Sequence, residues 1–165
     1  MSVFSKFIYL CLIILTFSCS KTVEETSSIS GDKIEIEMIA AYNAGSEAFK
    51  QQQFIKAAKK FNEAELLFPQ SEWAPKASLM AAYSFYVDGY NDDAIFQLNQ
   101  FIKTYPKDSR ISYANYLVAM SHYSKIVDEK KDLDPLLKSK KEFEYIVKTY
   151  PESDFALDSS FKLDL

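Results

Sequence analysis

A pattern of small and large apolar residues recurs three times in this chain and constrains its fold more than any other feature. In each copy a small residue is followed by a large apolar residue four positions later, by a further core position after three more, and by an aromatic–proline pair. The copies are Ala57, Phe61, Ala64, Phe68-Pro69; Ala94, Leu98, Phe101, Tyr105-Pro106; and Ser139, Phe143, Ile146, Tyr150-Pro151. Because the phase persists through all three copies, the pattern predicts a repeated structural unit rather than unrelated amphipathic helices.

The spacing is that of the tetratricopeptide (TPR) repeat, a helix–turn–helix unit of about 34 residues. The small residue lets the first helix of the pair approach, the large residue one turn later fills the groove, and proline ends the second helix. Small residues also stand at equivalent places in the first helices, at Gly45, Ala82 and Ala119. We therefore expect an all-α fold, a TPR helical-hairpin solenoid of about three and a half repeats, after a signal peptide and a disordered tether.

The repeat boundaries follow from the three prolines. The TPR array is expected over 33–165, with repeats at 33–70, 71–107 and 108–152 and a partial repeat at 153–165. Helices are expected near 33–51, 54–68, 72–87, 91–104, 110–127 and 136–149, and from about 153 onwards. Gly89 suits a left-handed helix end, and Ser71, Ser109 and Ser153 are expected helix N-caps. Because the last helix has no partner, we expect the chain to be truncated or its end face to be covered by another protein.

The start of the chain has the composition of a secretory signal. Residues 1–18 carry Lys6 as their only charge, and their apolar run is too short to span a membrane. The run ends at Ser18-Cys19, as in a bacterial lipobox, with Thr16 where leucine is usual; Cys19 would then be lipidated and become the mature N-terminus. The alternative is an ordinary signal peptide, or an uncleaved anchor with a chance cysteine. Residues 19–32 are expected to be the lipidated cysteine and a flexible tether, because they offer little surface to bury.

Composition excludes several classes of function. The net charge of −4 argues against non-specific binding of nucleic acid, because no basic stripe is available for phosphates. Both cysteines lie in the first twenty residues, and the single histidine, His122, is expected between packed helices. We find no nucleophile–base pair, carboxylate pair, phosphate loop or metal-ligand spacing, so we expect no enzyme activity, no cofactor and no metal site.

Three blocks of sequence support a resemblance to a known family: FPQSEWAPKASLMAAYSFYVDGYNDDAI, FIKTYPKDSRISYANYLVAMSHY and YPESDFALDSSFKLDL. Together with the lipobox-like cysteine, they resemble the BamD (YfiO/ComL) family of outer-membrane protein assembly lipoproteins, which are TPR proteins. The resemblance implies a lipid-anchored scaffold on the periplasmic face of the outer membrane, in the machinery that inserts β-barrel proteins. Another periplasmic TPR lipoprotein, linked to peptidoglycan or cell division, is the alternative.

The resemblance also implies partners. These are the barrel subunit of the assembly machinery, other assembly lipoproteins, unfolded outer-membrane proteins, and the membrane through the lipid anchor. The N-terminal repeats of the family are thought to receive substrate, while the C-terminal repeats that dock the barrel subunit are missing from this sequence. Docking of that subunit is therefore the part of the implied function that this sequence puts in doubt.

The inward-facing positions of the first helices are rich in tyrosine. Tyrosine combines a large contact area with a polar tip and little loss of entropy, which suits the binding of extended, partly apolar peptides. The predicted peptide-binding groove consists of Tyr42, Phe49, Tyr83, Tyr86, Tyr113, Tyr116 and Tyr123. Because outer-membrane barrel strands end in aromatic residues, such a groove is suited to receive them. The alternative is that these tyrosines simply pack between helices. A basic clamp for a terminal carboxylate is not evident, since only Lys50 and Lys76 lie nearby.

Overall fold

A computed structural model of the chain describes the backbone of residues 23–127 and 132–164, and the side chains of residues 31–127 and 132–164. These residues form helices joined by turns, without a β-strand. The helices are α1 (Val23–Lys50), α2 (Phe54–Leu67), α3 (Ala74–Val87), α4 (Asn91–Thr104), α5 (Ile111–Tyr123), α6 (Asp134–Thr149) and α7 (Asp154–Leu163). The predicted all-α fold of TPR-like helical hairpins is confirmed.

The start of α1 differs from the prediction. The tether predicted over 19–32 is helical from Val23 onwards, so the expected disorder is wrong for residues 23–32. Once a helix has nucleated, each further residue adds one backbone hydrogen bond at little extra cost, and the helix extends without burying surface. The predicted signal peptide at 1–18 and the predicted lipidation site Cys19 lie outside the described residues. None of the described helices is both long and apolar enough to cross a membrane.

The chain divides into two compact units, Met1–Ile36 and Glu37–Leu165. The described part of the smaller unit is the first stretch of α1, where Ile36 is exposed. The larger unit contains the remainder of α1 together with α2 to α7. The contacts between α2, α3, α4, α5, α6 and α7 lie within the larger unit.

The recurring pattern forms the core of this larger unit. Its large residues Phe61, Leu98 and Phe143 are at most 2% exposed, and its flanking small and apolar positions are equally buried. Each large residue packs against small residues of neighbouring helices. Phe61, for example, lies so close to Gly45 that a Cβ added there would be only 2.9 Å from the ring. The first helices also contact one another, α3 with α5 and α5 with α7. Phe49 of α1 lies against Tyr83 of α3 in turn, so the solenoid presents one face built from α1, α3, α5 and α7.

The turns follow local rules. Gly89 has a φ of +80°, which confirms the left-handed helix end, and Gln52 adopts a φ of +60° in the predicted turn between α1 and α2. Ser153 caps α7 by accepting a hydrogen bond from the Ala156 amide at 3.2 Å. The cap predicted at Ser109 is wrong. The carboxylate of Asp108 instead accepts from the Arg110 amide at 2.8 Å, because an aspartate side chain reaches the amide two residues on.

Helix α5 is shorter than predicted. It ends at Tyr123 rather than near 127. The amides of Lys125 and Ile126 bond to the carbonyls three residues earlier, so the α-helical pattern tightens into turns at this end.

Candidate functional site

An unbroken series of aromatic contacts crosses the face built from the first helices. Phe49 of α1 stacks on Tyr83 of α3, with ring centroids 5.7 Å apart and an interplanar angle of 23°. Tyr83 lies 6.5 Å from Tyr113 of α5, and Tyr113 lies 5.2 Å from Phe155 of α7. Tyr86 lies 6.2 Å from Tyr83 on the same helix. We call these five residues the aromatic ladder.

The ladder rings are half-buried, so that each is anchored by the core and also reaches the surface. Tyr83, Tyr86 and Tyr113 pack against the buried cluster around Leu79 and Leu117. Burial raises the pKa of Tyr113 to about 12, and burial followed by the charge of Tyr83 raises the pKa of Tyr86. The hydroxyls of Tyr86 and Tyr113 are therefore neutral donors across the physiological pH range. Within the described residues none of the three tyrosines has a protein hydrogen-bond partner, which leaves them available to a ligand.

The other predicted groove residues have different surroundings. Tyr116 contacts Phe155 at 5.3 Å, and its hydroxyl donates to Asp158 at 2.6 Å, so it adjoins the end of the ladder. Tyr123 packs against Phe143 of α6 at 6.2 Å and lies beneath the Lys162 ammonium. That arrangement is the one expected if a tyrosine packs between helices.

Among the described residues, Tyr42 makes no ring contact with a ladder residue, although it packs against the same buried cluster as Phe49. Its ring meets Phe61 edge-on at 5.2 Å and Trp73 at 5.1 Å. The structure thus brings together Phe49, Tyr83, Tyr86 and Tyr113, places Tyr116 beside them, and separates Tyr42 and Tyr123. The participation of all seven in peptide binding stays a prediction.

The sequence-based selection missed Phe155, which completes the ladder on α7. A signal for it was present, because Phe155 stands four residues after Pro151, as Trp73 does after Pro69. The predicted inward positions depend on the small residues Gly45, Ala82 and Ala119, and therefore do not extend to α7. The spacing from the proline marks the start of each first helix independently of those small residues.

No group of His, Asp and Glu side chains in the described part of the chain is arranged to hold a metal ion. His122 is half-buried in α5, and burial, reinforced by Lys138 and Lys125, lowers its pKa. Because His122 is half-buried, its predicted place in the core between packed helices stays a prediction.

Comparisons with known proteins identify the family. The family model described as "YfiO: Outer membrane lipoprotein" matches residues 35–165. A protein of Rickettsia prowazekii is 36% identical over 124 residues, covering 75% of this chain and 49% of the relative. A protein of Caulobacter vibrioides is 29% identical over 124 residues, covering 75% of this chain and 41% of the relative. A protein of Xylella fastidiosa is 24% identical over 162 residues, covering 92% of this chain and 54% of the relative.

All three relatives are named outer membrane protein assembly factor BamD, and this chain spans about half of their length. The name describes an assembly factor and not an enzyme, in agreement with the function class predicted from the sequence. The family match extends from α1 to the end of α7, so it includes every helix that carries the ladder. The chain belongs to the YfiO family of outer membrane lipoproteins.

Proposed function

We propose that this chain is a lipid-anchored scaffold of outer-membrane β-barrel assembly, which binds unfolded outer-membrane proteins through the aromatic ladder. Membership of the YfiO family and the name of the relatives support the role in assembly. The observation that carries the binding role is the continuity of the ladder across four successive first helices. Family membership favours this role over one in peptidoglycan or cell division.

The spacing of the ladder suits an extended chain. Alternate side chains of a β-strand recur about every 6.6–6.8 Å on one face. The ring centroids of the ladder are 5.2 to 6.5 Å apart from Phe49 to Phe155. An extended peptide with apolar residues at alternate positions can therefore place successive side chains beside successive rings. Transmembrane barrel strands have this alternation.

The anchor and the partners complete the proposal. Cys19 is the lipidation site, and two or more acyl chains attach the protein firmly to the periplasmic face of the outer membrane. The barrel subunit of the machinery and other assembly lipoproteins are the protein partners. With a net charge of −4, nucleic acid is not among the ligands.

A peptide-binding measurement tests the ladder. The ligand is a fluorescent peptide with the sequence of a C-terminal outer-membrane barrel strand, and the readout is anisotropy. Replacing one buried, well-packed aromatic in an interface typically costs more than 1 kcal/mol, so Tyr83→Ala and Tyr113→Ala should each weaken binding about tenfold. Tyr83→Phe, which keeps the ring and loses only the hydroxyl, should bind more tightly than Tyr83→Ala.

The matched control is Tyr145→Ala. Tyr145 lies on a second helix, is 45% exposed and makes its ring contact with Tyr150, away from the ladder. Circular dichroism establishes that each variant remains helical. Ladder variants that are folded and bind the peptide as tightly as the Tyr145 variant would refute the proposed binding role.

A further inference from the structure

A lysine is held at the edge of the first-helix face, over two aromatic rings. The Lys76 Nζ lies 4.9 Å from the centroid of Trp73 and 5.4 Å from that of Tyr42. The two rings themselves are 5.1 Å apart at 67°. Cation–π attraction of this kind holds an ammonium group in place while its N–H donors stay available. Lys76 and Trp73 are both exposed, so this position is open to a ligand.

The charge of Lys76 is not neutralised by the protein. In the described part of the chain, no carboxylate is paired with it. Arg110, by contrast, forms two bonds with the carboxylate of Asp108, from Nε at 2.7 Å and from a terminal nitrogen at 2.6 Å. Lys125 is paired with Asp92. Lys76 is therefore an exposed cation that has a ring support and lacks an anion. Lys162, a second lysine held over a ring among the described residues, is half-buried above Tyr123 and does not contact the ladder.

Lys76 lies on the same side of α3 as the ladder. It precedes Tyr83 by seven residues, which is two helical turns or roughly 10 Å along the axis. Tyr42, one of the rings beneath it, precedes the ladder residue Phe49 by the same seven residues on α1. The supported ammonium is thus about two helical turns from the first rings of the ladder, on the same side of the helix as Tyr83.

Equivalent positions in the later repeats carry different chemistry. The place seven residues after the repeat proline is Lys76 in α3, Tyr113 in α5 and Asp158 in α7. Tyr113 belongs to the ladder, and the Asp158 carboxylate accepts a hydrogen bond from Tyr116. One structural position therefore changes from cation to neutral ring to anion along the solenoid. At this position the charge therefore differs between α3 and α7.

We propose that Lys76, supported by Tyr42 and Trp73, binds the terminal carboxylate of an aromatic-ended peptide and so fixes the direction in which the peptide lies on the ladder. The C-terminus lies at α3, and the preceding residues run towards α7 and Asp158. This inference rests on the proposed function and names the end of the substrate that the face selects. A charge-assisted bond from an ammonium to a carboxylate supplies the selection.

The first experiment compares two forms of one peptide. The free-acid and C-terminally amidated forms of the barrel-strand peptide are titrated against the purified chain. The unaltered chain should bind the free acid about fivefold more tightly than the amide, a preference of the size that one partly exposed ion pair supplies. Lys76→Met should bring the ratio to about one by weakening the free acid alone, and added salt should reduce the preference of the unaltered chain.

The matched control is Lys103→Met. Lys103 is exposed in the last turn of α4, on a second helix, and its replacement should leave the acid-to-amide ratio unchanged. If the unaltered chain binds the acid and the amide equally well while Tyr83→Ala still weakens peptide binding, this inference is overturned and the proposed function is retained. A Lys76→Met variant that loses affinity equally for both peptides would also overturn it, because the lysine would then act only through packing.

The second experiment tests direction. A photo-crosslinking residue is placed near the C-terminus or near the N-terminus of the peptide. The C-terminal probe should label the segment that contains Trp73, and the N-terminal probe should label α7. The reverse pattern, or equal labelling by both probes, would overturn the assigned direction.

Discussion

The close approach of α1 to Phe61 gives a prediction whose sign can be worked from distances. A Cβ at position 45 would lie 2.9, 3.0 and 3.1 Å from three carbons of the Phe61 ring, where ordinary carbon contacts are about 3.5–4.0 Å. Phe61 is fully buried, so the ring has little room to move. Overpacking of this kind costs about 1–3 kcal/mol, and the higher helix propensity of alanine returns about 1 kcal/mol. We expect Gly45→Ala to lower the free energy of unfolding by up to about 2 kcal/mol.

The same helix provides the control. Gly31 also lies in α1, but a Cβ there would have no neighbour within 4 Å. Gly31→Ala should leave the free energy of unfolding unchanged or raise it by up to about 1 kcal/mol, because only the propensity gain applies. Both variants are measured by urea unfolding, followed by far-UV circular dichroism. A Gly45→Ala variant as stable as the Gly31→Ala variant would refute the steric argument.

A double variant separates the clash from other effects of the substitution. Phe61→Leu is smaller at the point of contact, so it should make room for a Cβ at position 45. The combined loss of stability in Gly45→Ala with Phe61→Leu should then be smaller than the sum of the two single losses. Strict additivity would mean that the two positions do not press on each other.

Two further predictions concern tyrosines. Tyr105→Phe removes the hydroxyl that donates to the Glu65 carboxylate at 2.8 Å and links neighbouring repeats. The free energy of unfolding, measured in urea, should fall by about 1 kcal/mol. An unchanged value would show that this bond adds nothing to stability. Burial raises the folded-state pKa of Tyr113 to about 12 from 10.0. The neutral tyrosine therefore contributes its full stabilisation below about pH 10, and this contribution is lost as the pH rises towards 12. Tyr113→Phe should therefore make stability fall less steeply over that range, and an unchanged pH profile would contradict the assigned shift.

The core was predictable because the information that specifies it is local. Ala57, Phe61 and Ala64 lie on one face of a helix by spacing alone, and a proline marks where that helix ends. Gly89 was predictable for a similar reason, because a left-handed residue at a helix end favours glycine. The extent of α1 was not predictable in this way. A polar composition indicates that a segment cannot form a core, but it does not exclude a single helix.

The candidate site was only partly predictable, because helical spacing gives the face of a residue and not its neighbour. Tyr113 and Tyr123 are both tyrosines of α5, yet one contacts Phe155 of the next repeat and the other packs on Phe143 of its own hairpin. That difference depends on where the adjacent helix crosses, which the sequence of α5 does not contain. The missing member Phe155 shows the same limit, since its ring became relevant only through contacts made across repeats.

The departures from the repeat pattern are what make this face a candidate for directional binding. The repeat requires small and large apolar residues where helices pack, and these positions are nearly alike in all three copies. It makes no such demand at the position of Lys76, Tyr113 and Asp158, where the side chains are not part of the buried pattern. Equivalent backbone sites can therefore carry a cation, a ring and an anion without cost to the fold. An array of identical repeats would bind an extended peptide equally well in any register, whereas unlike residues at one repeated position distinguish one end of the face from the other.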